Sequence, residues 1–358
     1  MDYRSLSISF RIQLGFHAAN NEGSGGTNVM EPRRITVGDK EYDGISGEIV
    51  RRHILENFVK LCEDAKVPIH NRCKGLIPDR GREALKGWMR KNAPTKKIKK
   101  GSSEKEMPIL QVVQYPEATE YLIKNCALCD VGGFLIALEQ KENFQGTLKR
   151  DSTFEVGWLI TEHPAIVDYT QHSAYYPDQE HGLFVQNMRV GIYGGVIRID
   201  LDRIGFNDWW WLNPEKFKGK RYIDDEERKK RIKCLLDAIE QWLISPSFAK
   251  QTGWLQHMSG LLEGVIVLSK NGAAPFYSPI KFELENNEIP VIKPNEEYRE
   301  ILEKLGDSYK GEYKIIKFDK ISNKNNGSSK GLKEAFDEVL QTLKLNKDGD
   351  KDGKKESN

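Results

Sequence analysis

Hydrophobic and polar positions alternate near the start of the chain, and this alternation predicts a β-strand. Four apolar residues at every second position share one face: Ile8, Phe10, Ile12 and Leu14. The alternation ends in a polar, glycine-rich stretch over residues 20–28, and a second short strand is predicted over residues 34–37. Ser46 then stands where the N-cap of an amphipathic helix over residues 46–62 is expected.

Later segments show helical or strand periodicity. Apolar residues at helical spacing within residues 224–245 predict the clearest helix: Ile232, Leu235, Leu236, Ile239, Trp242 and Leu243. The remaining patterns predict helices over 83–91 and 330–343, strands over 152–160, 190–202 and 313–318, a turn leading into a strand over 126–138, and a helix or strand over 258–268.

Residues 161–187 lack clear periodicity but carry many rings. These are His163, Tyr169, His172, Tyr175, Tyr176, His181 and Phe184. A long excursion of this kind between two strands predicts a hairpin whose rings stack on bases. The alternative is a loop whose rings pack back on their own domain, which is the commoner use of aromatic side chains.

The composition leaves the class of partner open. The 358 residues can bury a sizeable core, in one large or two to three small domains. The net charge is only +2, so a nucleic-acid partner has to be argued from where the charges lie. No run of eighteen apolar residues occurs, and the N-terminus lacks a signal pattern, so we expect a soluble, cytoplasmic protein without membrane contact.

The glycine-rich stretch is a candidate phosphate cradle, because glycines let the backbone approach a ligand and expose N–H groups that suit phosphates. It is not a Walker loop, since Thr27 and Asn28 stand where that motif has Lys followed by Ser or Thr. The candidate contacts in the stretch and the following helix are Asn20, Asn21, Gly23, Gly25, Gly26, Thr27, Asn28, Ser46, Arg51, Arg52 and His53. The alternative is a long flexible hairpin without a ligand.

Residues 66–117 form the most basic region of the chain, with several prolines and the run Lys96-Lys97-Ile98-Lys99-Lys100. We interpret the region as an inserted, partly irregular subdomain. Its high density of positive charges suits contact with a polyanion such as a nucleic acid. Each phosphate that such a surface neutralises strengthens binding by an amount that falls as the salt concentration rises. A solvated, flexible surface is the alternative.

Two short-spaced pairs of potential metal ligands occur: His70-x2-Cys73 and Cys126-x2-Cys129. Tetrahedral zinc is usually held by two such pairs, and a structural zinc would shape a proline-rich insertion that has little core. Cys62 could replace His70. In the alternative interpretation the cysteines are ordinary reduced thiols. The five cysteines carry no secretory context, which argues against a disulfide framework. Nothing indicates a catalytic zinc, because no H-E-x-x-H motif is present.

The order strand, glycine-rich loop, strand and helix, with NNEGSGGTN leading into GISGEIVRRH, resembles the N-terminus of a known family. The family is the backbone subunit of type I CRISPR surveillance complexes (Cascade), of the RAMP superfamily, and the resemblance is to its DevR-type autoregulator branch. Three later segments support the resemblance. CDVGGFL at residues 129–135 resembles the family's D-V-x-G-F-L segment, QNMRVGIYG at 186–194 resembles its strand entering G-x-Y-G, and residues 224–280 resemble its C-terminal helices.

The resemblance implies an α/β fold with an RRM-like (ferredoxin-like) palm and inserted fingers and thumb. The palm would comprise residues 1–60, 126–160 and 189–345, the last including the C-terminal helices. The fingers would be the basic insertion at 61–125 and the thumb the excursion at 161–188. Residues 346–358, NKDGDKDGKKESN, are predicted to be a disordered tail.

The resemblance also implies a function: a non-catalytic CRISPR RNA-binding subunit. Several copies would stack head to tail along the guide spacer, with other Cascade subunits, and would support pairing with a target nucleic acid, expected to be DNA. The guide backbone would be held by the loop and helix candidates above and by Gln186, Asn187, Met188 and Arg189. Base pairing rather than the protein would then read the sequence.

We expect no catalysis, since no nucleophile stands in a recognisable frame with its base. Type III relatives of this family cleave RNA with an Asp in the loop after the first strand, where this chain has Asn20, Asn21 and Glu22. An amide cannot act as a general base. Two alternatives stay open: a stand-alone RNA- or DNA-binding regulator, and a metal-dependent ribonuclease that uses Glu22 or a histidine.

Overall fold

The computed structural model describes residues 2–17, 21–22, 29–75, 80–100, 103–174, 182–246, 260–286, 288–320 and 329–345. The chain divides into two units. The first unit contains Met1–Ile54, Glu155–Ile199 and Ile239–Lys344, and the second contains Leu55–Phe154 and Asp200–Ala238.

The strands, in chain order, are β1 (Ser5–His17), β2 (Asn21–Glu22), β3 (Val29–Pro32), β4 (Arg34–Val37), β5 (Lys40–Ile45), β6 (Thr95–Lys100), β7 (Ser103–Pro108), β8 (Phe134–Leu138), β9 (Gly146–Arg150), β10 (Phe154–Val156), β11 (Leu159–Thr161), β12 (Ile166–Ala174), β13 (Gly182–Asp200), β14 (Leu262–Ser269), β15 (Ile280–Glu285), β16 (Ile289–Pro294), β17 (Tyr313–Asp319) and β18 (Lys330–Gly331). The helices are α1 (Gly47–Asp64), α2 (Asn71–Lys74), α3 (Arg82–Asn92), α4 (Tyr115–Asn125), α5 (Ala127–Gly132), α6 (Pro214–Phe217), α7 (Asp225–Ile244), α8 (Tyr298–Ser308) and α9 (Leu332–Thr342).

A mixed sheet forms the core of the first unit. Its strands follow the order β18-β17-β14-β1-β13-β11-β5-β4, and β12 and β3 also pair with β13. Strand β1 pairs antiparallel with β14, from Ser5 opposite Ser269 to Ile12 opposite Leu262. The apolar face predicted for β1 is buried. The alternation along β1 therefore marks a true strand with one face in the core.

Strands β12 and β13 form an antiparallel hairpin whose register runs from Ile166 opposite Val190 to Ala174 opposite Gly182. The structure thus confirms the hairpin predicted for the excursion at 161–187. Most of its ring-bearing side chains lie outside the described residues, so base stacking stays a prediction. Farther along β13, Gly195 allows a close approach, since an added Cβ would lie 2.8 Å from the ring of Phe10.

The second unit contains helices α3, α4 and α5 and two hairpins. The hairpin β6–β7 pairs Thr95 with Pro108 at its base and carries the cationic run. Helix α3 agrees with the helix predicted over 83–91, whereas the hairpin was missed because prolines flank its strands. The basic insertion is therefore more regular than its sequence suggests.

Most other predicted elements are present, with small shifts. Helices α7 and α9 match the predictions for 224–245 and 330–343, and the ambiguous segment at 258–268 contributes strand β14. The strand predicted over 152–160 is interrupted near Gly157, whose amide donates to the carbonyl oxygen of Val196. The α/β class is confirmed, while the RRM-like palm and the proposed domain boundaries stay predictions. No helix among the described residues is long and apolar enough to cross a membrane.

Candidate nucleic-acid interface and metal centre

Helix α1 begins at a glycine that has no space for a side chain. An added Cβ at Gly47 would lie 1.8 Å from the carbonyl oxygen of Val156, so only glycine fits at this position. The carbonyl oxygen of Ser46 accepts a hydrogen bond from the amide of Ile49 at 3.2 Å, which closes the first turn. Ser46 therefore stands at the helix start, as its sequence position predicts.

The three consecutive candidates of α1 differ in accessibility. Arg52 is exposed, Arg51 is half-buried, and His53 is buried with 4% of its surface accessible. Successive residues of a helix are rotated by about 100°, so three in a row cannot share one face. Of these three candidates, Arg52 and the accessible part of Arg51 can meet a polyanion.

The glycine-rich stretch is only partly described. Six of its candidates lie outside the described residues: Asn20, Gly23, Gly25, Gly26, Thr27 and Asn28. The backbone of Asn21 lies in β2, opposite Pro32 of β3. Strand β3 in turn runs parallel to β13, with Met30 opposite Gln186. The structure therefore places the strand that follows the glycine-rich stretch beside the strand that carries the later candidates.

Gln186, Asn187 and Met188 are described by their backbone alone, opposite Thr170, Tyr169 and Asp168 of β12. Arg189 comes directly after them and is buried, with 1% of its surface accessible. Its Nη1 lies 3.2 Å from Oδ1 of Asp43. None of the three guanidinium nitrogens makes a hydrogen bond to a described residue. Asp43 thus balances the positive charge of Arg189, while the N–H groups of the guanidinium remain without hydrogen-bond acceptors among those residues.

This ion pair is part of a connected set of four buried polar side chains. We call the set the Arg189 cluster; its members are His17, Asp43, Arg189 and Tyr193. The hydroxyl of Tyr193 donates to Oδ2 of Asp43 at 2.5 Å. Nε2 of His17 lies 2.9 Å from the same hydroxyl. The cluster thereby connects β1, β5 and β13 at the residue that ends β1 before the glycine-rich stretch.

Burial shifts the ionisation of these groups. It raises the pKa of Asp43, although the neighbouring Arg189 and Tyr193 act in the opposite direction. It also lowers the pKa of Arg189. Burial and the charge of Arg189 lower the pKa of His17 to about 3, so its imidazole is neutral near pH 7. Since the Tyr193 proton is given to Asp43, the Nε2–H of His17 donates to the tyrosine oxygen.

The four predicted metal ligands meet in the second unit. The ligand atoms of His70, Cys73, Cys126 and Cys129 all lie within 4.8 Å of one another. The Sγ atoms of Cys73 and Cys129 are 3.8 Å apart, and Nδ1 of His70 lies 4.0 Å from Sγ of Cys129. Two thiolates bound tetrahedrally to zinc at about 2.3 Å are separated by about 3.8 Å. The donor set and its spacing therefore fit a tetrahedral metal ion.

The surroundings of the thiols also fit a metal. Burial acts to raise the pKa of Cys126, but hydrogen bonds from Cys129, Cys73 and His70 outweigh it and hold the pKa well below its usual value. The hydrogen bond to Cys126 raises the pKa of Cys73 to about 12. Neighbouring donors thus stabilise one thiolate, which is the form that binds metals. The remaining sequence alternative, Cys62, instead hydrogen-bonds Cys234, so His70 is the fourth member of the cluster.

Helix α5 contains Cys129, begins directly after Cys126, and is held by a buried carboxylate. The carboxylate of Asp130 accepts hydrogen bonds from Nη2 of Arg150 at 2.7 Å and from Nη1 of Arg231 at 2.8 Å. All three side chains are inaccessible to solvent. The amide of Asp130 donates to the carbonyl oxygen of Cys126, which closes a helical turn. Of the turn leading into a strand predicted over residues 126–138, the strand is confirmed as β8, but the turn was wrong: these contacts favour a short helix.

The sequence reasoning missed this network and the Arg189 cluster. Arg150 and Arg231 are 20 and 101 residues away from Asp130, and Asp43 is 150 residues away from Tyr193. No periodicity links partners at such separations. The available signal was the position of Asp130 inside the CDVGGFL segment.

Known proteins resemble this chain in sequence and in fold. The family model described as "CRISPR-associated negative auto-regulator DevR/Csa2" matches residues 8–286. A protein of Methanocaldococcus jannaschii, "CRISPR-associated protein Cas7/Cst2/DevR", is 26% identical over 261 residues, which are 65% of this chain and 72% of that protein. A chain of a solved "CRISPR RNA-guided surveillance complex, pre-nicking" matches with a TM-score of 0.50 and 13% identity, over 94% of this chain and 99% of that chain. At this identity the structural likeness shows a shared fold.

Proposed function

The chain belongs to the CRISPR-associated DevR/Csa2 family, and on this premise we propose that it is a non-catalytic, CRISPR RNA-binding backbone subunit of a type I Cascade complex. The observation that carries the proposal is the family match over residues 8–286. That span includes every candidate RNA contact and all four cysteine and histidine ligands.

In this function the protein holds the sugar-phosphate backbone of the guide. The proposed contacts are the loop residues Asn20, Asn21, Gly23, Gly25, Gly26, Thr27 and Asn28, the helix residues Ser46, Arg51, Arg52 and His53, and the β13 residues Gln186, Asn187, Met188 and Arg189. Backbone amides and cations would grip phosphates without reading bases, and pairing with the target would supply sequence specificity. The proximity of β3 to β13 supports the grouping of the loop with the β13 candidates.

The proposed partners are the guide RNA, further copies of this chain, other Cascade subunits and a target nucleic acid, for which we propose DNA. Head-to-tail packing of identical chains is a heterologous contact, which produces open helical assemblies when it does not close. The number of copies would then follow the length of the guide.

The test is to purify the protein without nuclease treatment and to sequence the nucleic acid that accompanies it. We expect repeat-and-spacer RNA. Adding synthetic guides of increasing length to nucleotide-free protein should raise the mass of the complex in steps of one chain. A protein that remains monomeric and binds no single-stranded RNA in dilute buffer would rule out the proposal.

The words "negative auto-regulator" in the family description favour a second candidate, a stand-alone RNA- or DNA-binding regulator. A regulator should form a small oligomer of constant size whatever the length of the added RNA. It should also select a defined DNA or RNA sequence over unrelated sequences. The same mass measurement therefore separates the two candidates.

The absence of catalysis is also part of the proposal. Incubation with labelled RNA and magnesium should leave the RNA intact. Steady cleavage that disappears in Glu22→Gln, and persists in the neighbouring Glu31→Gln, would instead assign a metal-dependent ribonuclease.

For the metal centre we propose a structural zinc bound by His70, Cys73, Cys126 and Cys129. The support is the mutual spacing of the ligand atoms and the buried Nε2 of His70, which has no hydrogen-bond partner. When bound, zinc would cross-link α2 to the start of α5 and so stabilise the second unit. With four protein ligands it would leave no open position for substrate.

A further inference from the structure

We propose that Arg189 binds a phosphodiester of single-stranded RNA and that the carboxylate of Asp43 occupies its anion site while no RNA is present. The inference rests on the RNA-binding function proposed above. The added element is that a carboxylate of the protein competes with the RNA phosphate for the same guanidinium.

The first support is the unusual state of the Arg189 guanidinium. It is buried and lies 3.2 Å from Asp43, yet none of its nitrogens makes a hydrogen bond. A guanidinium carries five N–H donors, and a buried donor left unpaired costs free energy. Asp43 therefore supplies charge compensation without the directional contacts that a guanidinium needs.

A second arginine in the same unit shows what a purely structural pair looks like. Nε and Nη2 of Arg11 each donate to a different carboxylate oxygen of Glu162 at 2.9 Å. This two-pronged geometry is the usual arrangement for arginine and a carboxylate. The pair between Arg189 and Asp43 lacks it.

In this arrangement Asp43 does not supply the missing bonds, because one of its carboxylate oxygens is already engaged elsewhere. Its Oδ2 accepts the proton of Tyr193, and its amide donates to Oγ1 of Thr161 at 3.0 Å. Only Oδ1 faces Arg189. A phosphodiester offers two non-bridging oxygens and can receive two parallel N–H bonds from one guanidinium.

The position of the cluster fits an RNA phosphate. Arg189 comes directly after Gln186, Asn187 and Met188 in β13, and β13 runs beside β3. His17, at the other end of the cluster, is the last residue of β1 before the glycine-rich stretch. The buried guanidinium therefore lies where the two predicted phosphate-binding segments meet the sheet.

If the phosphate must displace Asp43, the carboxylate weakens RNA binding in the natural protein. The variant Asp43→Asn keeps the shape and the acceptor for Tyr193 but removes the competing charge. We expect it to bind a single-stranded RNA oligonucleotide about tenfold more tightly, and the gain should vanish in Asp43→Asn combined with Arg189→Met. The slope of log K against log salt should fall by about 0.7 from Asp43→Asn to the double variant, which corresponds to one phosphate contact.

The matched control is Glu162→Gln, which also replaces a partly buried, arginine-paired carboxylate of the first unit by an amide. It should cost stability without raising RNA affinity. A purely structural Asp43 predicts unchanged or weaker binding in Asp43→Asn, and that result would overturn the inference. Should Asp43→Asn fail to fold, the double variant, which buries no unpaired charge, is compared with the wild type. An unchanged salt slope there would also overturn the inference.

Failure of the inference can be told apart from failure of the proposed function. If wild-type protein binds no RNA, the proposed function fails. The anion site is then tested with inorganic tripolyphosphate, which should raise the melting temperature of Asp43→Asn by several degrees and leave the double variant unchanged. Equal responses of the two variants would remove the site.

Discussion

Asp130 is the carboxylate on which the buried charges of the second unit converge. Two arginines from distant segments and the amide of Gly205 all donate to it. Removing one partner of such a network is costly, because the remaining charges stay buried without compensation. The residue therefore serves the architecture around α5, beside the cysteines of the metal centre.

We predict that Asp130→Ala lowers the free energy of unfolding by about 3–5 kcal/mol. Urea unfolding followed by tryptophan fluorescence measures the change. The control is Asp237→Ala, which breaks the i,i+4 pair with Lys233 on the surface of α7 and should cost less than about 1 kcal/mol. Similar losses in both variants would contradict the role assigned to Asp130.

Tyr298 presents the opposite situation, a buried hydroxyl without a partner. It packs against Val265, Val267 and Leu302, and its hydroxyl makes no hydrogen bond within the described part of the chain. Burial without compensation raises its pKa. The polar atom therefore lowers the stability of the first unit.

We predict that Tyr298→Phe raises the free energy of unfolding by about 1 kcal/mol, because an unpaired buried hydroxyl is removed while the ring is kept. The control is Tyr42→Phe, which removes a hydroxyl that has a partner: it accepts a hydrogen bond from the amide of Ile292 at 3.0 Å. That variant should be destabilised by a similar amount. Thermal melting compares the two, and a loss of stability in Tyr298→Phe would contradict the prediction.

His17 links stability to pH. Its pKa of about 3 in the folded chain lies below the usual value near 6.5, so the contribution of the neutral ring is complete above pH 6.5. As the pH falls from 6.5 towards 3, the unfolded chain binds a proton that the folded chain does not. Stability should therefore fall by up to about 1.4 kcal/mol per pH unit from this group alone.

We predict that His17→Gln, which keeps an N–H donor for Tyr193, has a shallower loss of stability between pH 6.5 and 4 than the wild type. Urea midpoints at pH 7.5, 6, 5 and 4 measure it. At pH 7.5 and above, where the wild-type ring is neutral in both states, the two proteins should have parallel profiles. Parallel profiles over the whole range would show that His17 titrates normally.

At the scale of elements, helix α5 and the residue before it supply half of the candidate metal ligands. The x2 spacing places Cys126 directly before α5, in extended conformation, and Cys129 in its first turn, so both thiols belong to one short stretch of chain. Cys73 and His70 are offered by α2 and the residue before it. Each pair is positioned by local structure, and only tertiary packing joins the pairs.

We predict about one zinc per chain in the wild type and well under one in Cys73→Ala. The matched control is Cys234→Ala, a buried thiol outside the four-ligand cluster, which should keep its zinc. A chelator should lower the urea midpoint of the wild type and of Cys234→Ala but leave Cys73→Ala unchanged. Metal-free wild-type protein with unaltered stability would rule out the centre.

Elements with local signals were predicted well. Helix α7 agrees with its predicted bounds within a residue because Asp224 caps it locally, accepting the amide of Glu227 at 2.7 Å. Strand β1 followed from its period of two. By contrast, the helix α5 was mistaken for a turn because Asp130 and its arginine partners, which hold it, are far apart in sequence.

At the scale of the whole molecule, fewer of the predicted RNA-contact cations are accessible in this structure than the sequence suggests, as far as the described residues go. Arg189 and His53 are buried and Arg51 is half-buried. The net charge of +2 is close to neutral, so nonspecific attraction of RNA by the whole molecule is weak. In the proposed function, affinity would therefore come from a few positioned contacts and from the repetition of chains along one RNA.

We predict that Arg51→Ala with Arg52→Ala weakens single-stranded RNA binding and lowers its salt slope by about 1.4, or 0.7 for each phosphate contact. The matched control is Lys304→Ala with Lys310→Ala, which removes two exposed positive charges of the first unit that are not among the predicted RNA contacts. It should leave the slope unchanged. Equal effects of the two double variants would indicate nonspecific attraction.

The sequence by itself determined what depends on neighbours along the chain: the main strands and helices, the two ligand pairs and the motifs that place the chain in its family. The tertiary structure decided which distant groups meet. It joined Cys73 to Cys129, which lie 56 residues apart, and it buried Arg189 against Asp43. The physical reason is that periodicity and capping act over a few residues, whereas burial of charge and ligand closure depend on strands and helices that pack together only in the folded chain.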